Sequence, residues 1–249
     1  VLATDPAFFE AQPRFLRESM NRVRWHWRFE TPEKARDMTR GYFRMISGVD
    51  AAVGRIMAAL GRRGVDANTV VIFTADNGYF LGERGFAGKW LIHEPSIRVP
   101  LIVRDPRRGA ARGALRDQMA LNVDLAPTIL DAAGEPIPGA MEGASLLPAL
   151  GGQGMPSREF ITTSECTWQK KWAMRTDSEK LILSRQPDFH GMPRVELYDL
   201  KADPHELNNI AASQAERTRS LESRIEAWIS DGVRRNGLAG DPIMLGDIT

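Results

Sequence analysis

"TVVIFTADNGYFLGERGFAGKWLIHEPSIRVPLIV", Thr69 to Val103, holds two short apolar runs rich in β-branched residues, separated by a polar, glycine-rich stretch. The first run, Thr69 to Ala75, ends on Asp76-Asn77-Gly78, and the second runs from Arg98 to Val103. Their apolar residues are continuous and do not alternate, which suits strands covered on both faces, typically parallel ones. In open parallel sheets the loops at the carboxyl ends of strands converge on one edge and bind ligands there. Asp76 and Asn77 stand at such an end. A carboxylate and an amide carbonyl are hard oxygen donors suited to calcium or magnesium, but calcium takes roughly six to eight oxygens, so two donors cannot make a site. Residue types alone favour the plainer reading, that Asp-Asn-Gly is a good turn. Lys89 is open in the same way. A lone loop lysine is most often a solvated charge; in a cleft it would neutralise one oxygen of a tetrahedral anion or of a leaving group.

Upstream, Thr31-Pro32-Glu33 has the form of a helix start: a capping hydroxyl, proline in the first turn and an acid against the dipole. Met38, Tyr42, Met45, Val49, Val53, Ile56 and Leu60 then recur at spacings of four and three, one face of a long amphipathic helix that Gly61 and Gly64 end. The preceding residues 1–30 carry no clean period. Downstream, "NVDLAPTILDAAG" predicts a helix with Asp124 as its cap and Gly134 as its terminator. Helix, strand, loop, strand, helix is an α/β pattern, and it predicts a mainly parallel sheet flanked by helices over residues 1–150. Beyond Gly151 the character changes. Lys170–Thr176 and Glu179–Arg185 read as a hairpin across Asp177-Ser178, Arg194–Leu200 as a third strand, and Ser213–Ser230 as a helix. Residues 151–249 are therefore expected to form a small antiparallel α+β unit.

Hydrophobic residues make up 43% and charged residues 26%, as in soluble globular proteins, and the formal charge is +1. No global field draws the chain to nucleic acid or to an anionic membrane. "RVRWHWRF" (Arg22–Phe29) interleaves bases and aromatics, but no other basic patch supports it, so a packed segment with arginines over apolar surface is the favoured reading and a carbohydrate platform the minor one. The single cysteine, Cys166, excludes an intrachain disulfide and a cysteine zinc cluster, and reads as a packed or idle thiol. No apolar run reaches the length of a membrane span.

Taken in order, "TVVIFTADNG", "LGERG", "GKW" and "HEPSIRVPLIV" resemble the sulfatases of the alkaline-phosphatase superfamily. So do "YFRMISGVDAAVGRIMAAL" upstream and "VDLAPTILDAAG", "KWAMRTDSEKLIL" and "ELYDLKADPHELNNIA" downstream, and the likeness runs from about residue 36 to residue 211. The resemblance implies the C-terminal part of an alkaline-phosphatase-like catalytic domain with a small C-terminal subdomain. It implies hydrolysis of sulfate esters, of sulfated carbohydrates or aryl sulfates, by a formylglycine nucleophile assisted by Ca²⁺. It places Asp76 and Asn77 among the calcium ligands and Lys89 against the sulfate or the bridging oxygen. Arg84 stands where many relatives carry histidine in "GEHG"; it cannot exchange protons near neutral pH, but it could hold a sulfate or carboxylate. His93 could touch substrate, although packing or capping of the next segment is the favoured reading.

The family nucleophile motif, Cys/Ser-x-Pro-x-Arg, does not occur in the chain; "GMPSR" (Gly154–Arg158) has glycine where the nucleophile should stand. The family's paired acids on the first strand and its mid-domain histidine and lysine have no counterpart either. The expectation is a C-terminal half that does not turn over substrate by itself. A phosphatase or phosphonate monoester hydrolase of the same superfamily is the alternative, with Asn77 speaking mildly against it, and a catalytically inactive binding module is another. His190 and His205 read as loop residues. Family habit favours an exported or lysosomal compartment, though some relatives work in the cytoplasm; oligomeric state is left open.

Overall fold

In this computed structural model the described residues are 6–108, 113–155, 158–166, 169–186 and 191–245. In chain order they form α1 (Pro6–Glu10), α2 (Arg14–Arg17), α3 (Met20–Phe29), α4 (Pro32–Arg62), β1 (Val71–Thr74), β2 (Phe80–Leu81), β3 (Ala87–Gly88), α5 (Glu94–Ile97) and β4 (Leu101–Arg104). Then follow α6 (Leu125–Ala133), α7 (Leu147–Leu150), β5 (Phe160–Cys166), β6 (Gln169–Arg175), β7 (Glu179–Ser184), β8 (Val195–Asp199), α8 (Ala215–Asn236) and α9 (Pro242–Leu245). Among the described residues no helix is long and apolar enough to cross a membrane. Residues 1–39, 77–98 and 159–249 make one compact unit, and residues 40–76 and 99–158 make another. The units interleave along the chain, whereas the sequence reading divides it once, near residue 150.

The first unit is built on a four-stranded antiparallel sheet in the order β5-β6-β7-β8. Asp177-Ser178 forms the β6–β7 turn as expected, with Thr176 N donating to Glu179 O at 2.9 Å. Alternation along the strands sends successive side chains to opposite faces. One face carries Trp172, Met174, Leu181, Leu183 and Leu197 against Leu221, Ile225 and Ile229 of α8 and Ile243 of α9. Each such fully buried aliphatic residue contributes roughly 1.5–3 kcal/mol of apolar transfer. The other face carries Lys171, Lys180, Glu196 and Tyr198 among Ala173 and Ile182, and all are buried.

Within residues 1–30, which show no period, the described residues from 6 onward form α1, α2 and α3. Ser19 caps α3 by accepting from Arg22 N at 3.2 Å, a start signal hidden among arginines. Trp25 and Phe29 of α3 are buried with Ala35 and Ala87, and the Arg22 guanidinium lies 3.3 Å from the Phe9 ring centroid and 4.2 Å from that of Trp25. The Arg22–Phe29 stretch is thus a packed helix with arginine on aromatic faces.

α4 runs for 31 residues, close to the periodicity's prediction, and the second unit takes it up from Arg40; Met45, Val49 and Ile56 of its apolar stripe remain exposed. β1 and β4 pair antiparallel, Val71 opposite Arg104 and Thr74 opposite Leu101, so the parallel relation expected for these two strands is not found. The reason is the connection. The strand-to-strand segment holds only two-residue strands and one turn of helix, with no crossover helix to carry the chain back to the start of the sheet. Continuous apolar runs therefore gave the strands correctly and their direction wrongly. Gly134, at φ 79°, ends α6 as expected. Asp124 holds the residue before α6 but spends its carboxylate elsewhere: it accepts from Leu121 N at 2.7 Å, Ala144 N at 2.9 Å and both terminal nitrogens of Arg158. The arginine of "GMPSR" is thereby a structural partner of a fully buried acid.

Candidate functional site

The Lys89 loop lies in the first unit. β2 and β3 pair Phe80 with Gly88 and Leu81 with Ala87, and the turn between them needs positive φ at Gly82 (102°), Arg84 (55°) and Gly85 (72°). A side chain on Gly85 would run into the Phe9 ring, 1.9 Å from where its Cβ would stand. Gly88 (φ 104°) and Trp90 (φ 82°) then bend the chain on either side of Lys89. The buried Asn21 of α3 donates to Lys89 O at 2.8 Å, and the Arg24 guanidinium stacks 3.9 Å from the Trp90 ring centroid.

This backbone delivers the Lys89 ammonium to the Asn77 side chain, Nζ to Oδ1 at 2.7 Å. Asn77 Nδ2 donates to Gly78 O at 2.8 Å, which fixes the amide with its oxygen toward the lysine. Gly78 is required for close approach: a Cβ there would stand 2.2 Å from Pro95 O and 2.7 Å from Arg98 O, while its own N donates to Ser96 O at 2.7 Å. Asp76 directly precedes Asn77 in the chain, follows β1, and is exposed. The structure thus brings two of the predicted residues, Asn77 and Lys89, into contact.

Arg84 and His93 are placed differently. Arg84 is 4% exposed and gives its guanidinium to the backbone carbonyls of His205 (3.2 Å) and Glu206. His93 is 1% exposed and lies between the Phe80 and Tyr198 rings, with centroids at 6.5 and 5.8 Å. Their expected substrate contacts are corrected to interior roles, because the loop turns both inward over the charged sheet face. The packing reading of His93 is the one the geometry follows. His205 lies on an exposed loop, as expected; His190 and the Cys166 side chain fall outside the described residues.

The sequence reading missed the ion network beneath the loop. Lys180 Nζ lies 2.7 Å from Glu94 Oε1 and 2.8 Å from Glu206 Oε1, and donates to Ile92 O at 3.0 Å. The Glu206 contact is ionic, its angles lying outside those of a hydrogen bond. Arg175 adds contacts of 3.4 and 3.3 Å to Glu94. Beside it Lys171 meets Glu196 at 3.3 Å, and the Tyr198 hydroxyl donates to Glu196 at 2.6 Å. Burial opposes ionisation of Glu94, but the charges of Lys180 and Arg175 prevail and hold its carboxyl below the ordinary value. Burial pushes Glu206 up despite Lys180. The only sequence signal for this network is the alternation of Lys171, Lys180 and Glu196 with apolar residues on the strands.

His93 gives a pH prediction. Burial, with Arg84, Lys180 and Lys171 nearby, holds its imidazole well below the ordinary value of 6.5, and Glu196, 4.0 Å away, does not reverse this. Below 6.5 the unfolded chain takes up a proton that the folded chain refuses, so stability is present above 6.5 and declines as pH falls toward the folded value. Urea unfolding is expected to lose up to about 1.4 kcal/mol per pH unit below that point, and His93→Phe to flatten the slope.

Asn77 Oδ1 and the Asp76 carboxylate are hard donors on consecutive residues, and the amide orientation leaves its oxygen able to meet a positive charge, which the Lys89 ammonium does here. Oxygen donors of these types suit a hard divalent cation, and two of them are fewer than such a cation takes. Among the described residues no group of three or more His, Cys, Asp or Glu side chains could hold a metal.

The lysine-bearing loop over the antiparallel C-terminal sheet is that of a protein of the alkaline-phosphatase superfamily, as comparison with known proteins shows. Known proteins narrow it. The family described as Sulfatase matches residues 9–135, and that described as N-sulphoglucosamine sulphohydrolase, C-terminal, matches residues 82–231. The chain belongs to the sulfatase family. It is 33% identical over 204 residues to N-acetylglucosamine-6-O-sulfatase of Bacteroides thetaiotaomicron, covering 78% of this chain and 36% of that protein. It is similar to a solved structure described as in complex with its substrate D-glucosamine-2-N,6-O-disulfate, at TM-score 0.68 and 32% identity, covering 79% of this chain and 41% of that one. The phosphonate monoester hydrolase of Agrobacterium radiobacter is similar at TM-score 0.67 and 26% identity, covering 84% of this chain and 43% of that one. The chain thus spans less than half the length of these relatives. The sulfatase family is generally metal-dependent.

Proposed function

We propose that this chain supplies the C-terminal part of a sulfate-ester hydrolase acting on a sulfated carbohydrate or an aryl sulfate. Residues 1–150 belong in this reading to the catalytic domain and residues 151–249 to its small C-terminal subdomain. The observation that carries it is the Lys89 ammonium held 2.7 Å from the Asn77 amide oxygen. A bond to a neutral amide does not cancel the charge, so the lysine keeps its attraction for an anion. Asp76 and Asn77 would hold calcium, which when bound supplies a fixed double positive charge beside the sulfate oxygens. Lys89 stabilises the negative charge that builds on the ester oxygen as the sulfur–oxygen bond breaks. The attacking group, a formylglycine in this family, comes from residues outside this sequence. Exposed Phe43, Met45, Ile46, Val49 and Ile56 of α4 and Ile102 of β4 support a chain that is one part of a larger domain.

The relative named for N-acetylglucosamine-6-O-sulfatase and the structure with a glucosamine disulfate favour a sulfated amino sugar as substrate. The likeness to a phosphonate monoester hydrolase supports a second reading, phosphonate or phosphate ester hydrolysis. Sulfate release decides between them. The chain by itself is expected to release none from a chromogenic aryl sulfate, with or without calcium; steady turnover by it alone would overturn the partial-site reading. In the polypeptide that joins it to a Cys/Ser-x-Pro-x-Arg segment, glucosamine 6-sulfate should be hydrolysed faster than a phenyl phosphonate, and Asp76→Ala should weaken calcium binding. Equal calcium affinity in that variant would remove Asp76 from the metal site.

A further inference from the structure

All the non-glycine residues with positive φ in the described chain bear on one short stretch. Arg84 (55°) and Trp90 (82°) lie in the Lys89 loop, and Glu206 (55°) lies 116 residues beyond Trp90, in the loop after β8. Such conformations persist only where surrounding contacts over-determine them, and they gather at functional sites. Glu206 shows what imposes it. Its backbone carbonyl accepts from the Arg84 guanidinium, before Lys89. Its carboxylate Oε2 accepts from Glu94 N at 2.7 Å, after Lys89, and Oε1 meets Lys180. Lys180 in turn donates to Ile92 O. One residue with no exposed surface therefore grips the loop on both sides of the lysine, through main chain at one end and side chain at the other.

We infer that Glu206 is a positioning residue: with Lys180 it clamps both arms of the loop from Arg84 to Glu94 and so sets where the Lys89 ammonium stands. This deepens the sulfate-ester reading and rests on it for the meaning of Lys89, but the clamp itself is a property of the folded chain. On its other side the loop has its own two ladder pairs and α3, whose Asn21 donates to Lys89 O at 2.8 Å and whose Arg22 donates to Gly85 O at 3.3 Å; the Glu206–Lys180 pair is what ties it to the sheet. A left-handed glutamate in a "DPHEL" turn would serve no purpose in a loop that merely connects β8 to α8, where glycine or asparagine takes that conformation with less strain.

The test is amide hydrogen exchange followed by mass spectrometry on the full chain, comparing Glu206→Ala, Glu206→Gln and a control, Ile225→Ala, in the core on the opposite sheet face. Glu206→Ala is expected to speed exchange of residues 82–94 by about tenfold relative to residues 171–184, and the amine-labelling rate of Lys89 should rise with it. Glu206→Gln keeps an acceptor for Glu94 N and should fall between the two, while Ile225→Ala should speed loop and sheet together. Loop exchange unchanged in Glu206→Ala, or raised only in step with the sheet as in the control, overturns the clamp. Should the alanine variant not fold, the glutamine variant carries the same comparison: selective loosening of the loop supports the clamp and uniform loosening overturns it. Because nothing here depends on turnover, a failure of the sulfate-ester reading would show in the Lys89 kinetics and leave this result standing, and the reverse holds equally.

Discussion

Replacing Lys89 by alanine, in the polypeptide that joins this chain to its nucleophile, is expected to slow sulfate-ester hydrolysis by about 10²–10³-fold, the usual penalty for losing one oriented donor to a developing oxyanion. The effect is electrostatic. An alkoxide leaving group gathers nearly a full negative charge as the sulfur–oxygen bond breaks, and the ground-state ester oxygen carries little. An ammonium held in place by Asn77 Oδ1 and by the Asn21 bond to the Lys89 carbonyl meets that charge without reorganising. The loss should appear in kcat and in single-turnover rates, with KM changed far less. It should shrink for substrates with acidic phenol leaving groups, which need less help. Lys89→Arg should recover only part, since a planar fork does not replace a point charge. Wild-type rates in Lys89→Ala would remove the lysine from the site.

Lys180→Ala is expected to be the most destabilising single change among the charged residues of the first unit, by about 3–5 kcal/mol. The lysine is fully buried between two carboxylates, and its removal strands Glu94 and Glu206 near one another in a low-dielectric interior. Only Arg175, on the Glu94 side, remains to compensate. Denaturant unfolding would measure the loss. Lowering the pH should recover part of it, because the stranded acids can then take up protons. A double variant, Lys180→Met with Glu206→Gln, should be less destabilised than Lys180→Ala, since it removes an uncompensated charge with the cation. A loss within 1 kcal/mol, the range of an exposed pair (roughly 0–1 kcal/mol), would show that water reaches this network.

Much of the architecture was legible because it depends on local chemistry. The spacing from Met38 to Leu60 specified α4, and Asp177-Ser178 specified the β6–β7 hairpin. Glycine at 134 marked the end of α6. What was illegible depends on distant partners. β5, "FITTSEC", is too polar to read as a strand; its place is set by pairing with β6, not by its own pattern. The direction of β4 against β1 depends on how the intervening segment turns, which apolar content does not encode. Asn77 and Lys89 are singled out by the family resemblance, and the structure brings their side chains into contact. A substrate contact for Arg84 comes from its charge and its place in the family string, and for His93, where packing is the favoured reading, from its spacing after Lys89; burial against Glu206 and Tyr198 cannot be seen in one dimension. Glu206 lies within the "ELYDLKADPHELNNIA" string that carries the family likeness, but its role carried no signal of its own, since an acid after Asp-Pro-His reads as an ordinary surface turn.

The two-faced sheet of the first unit also constrains how the chain finds its native pairing. With oil on one side and interior charge on the other, a slip of β7 by a single residue would exchange the two. Lys180 would then be driven into the layer occupied by Leu221 and Ile225, and Leu181 would face the acids meant for Lys180. Neither error can be relieved by rotamer changes, so wrongly threaded intermediates stay poor competitors, and strand alignment beneath the Lys89 loop is decided by the alternation of lysine and leucine.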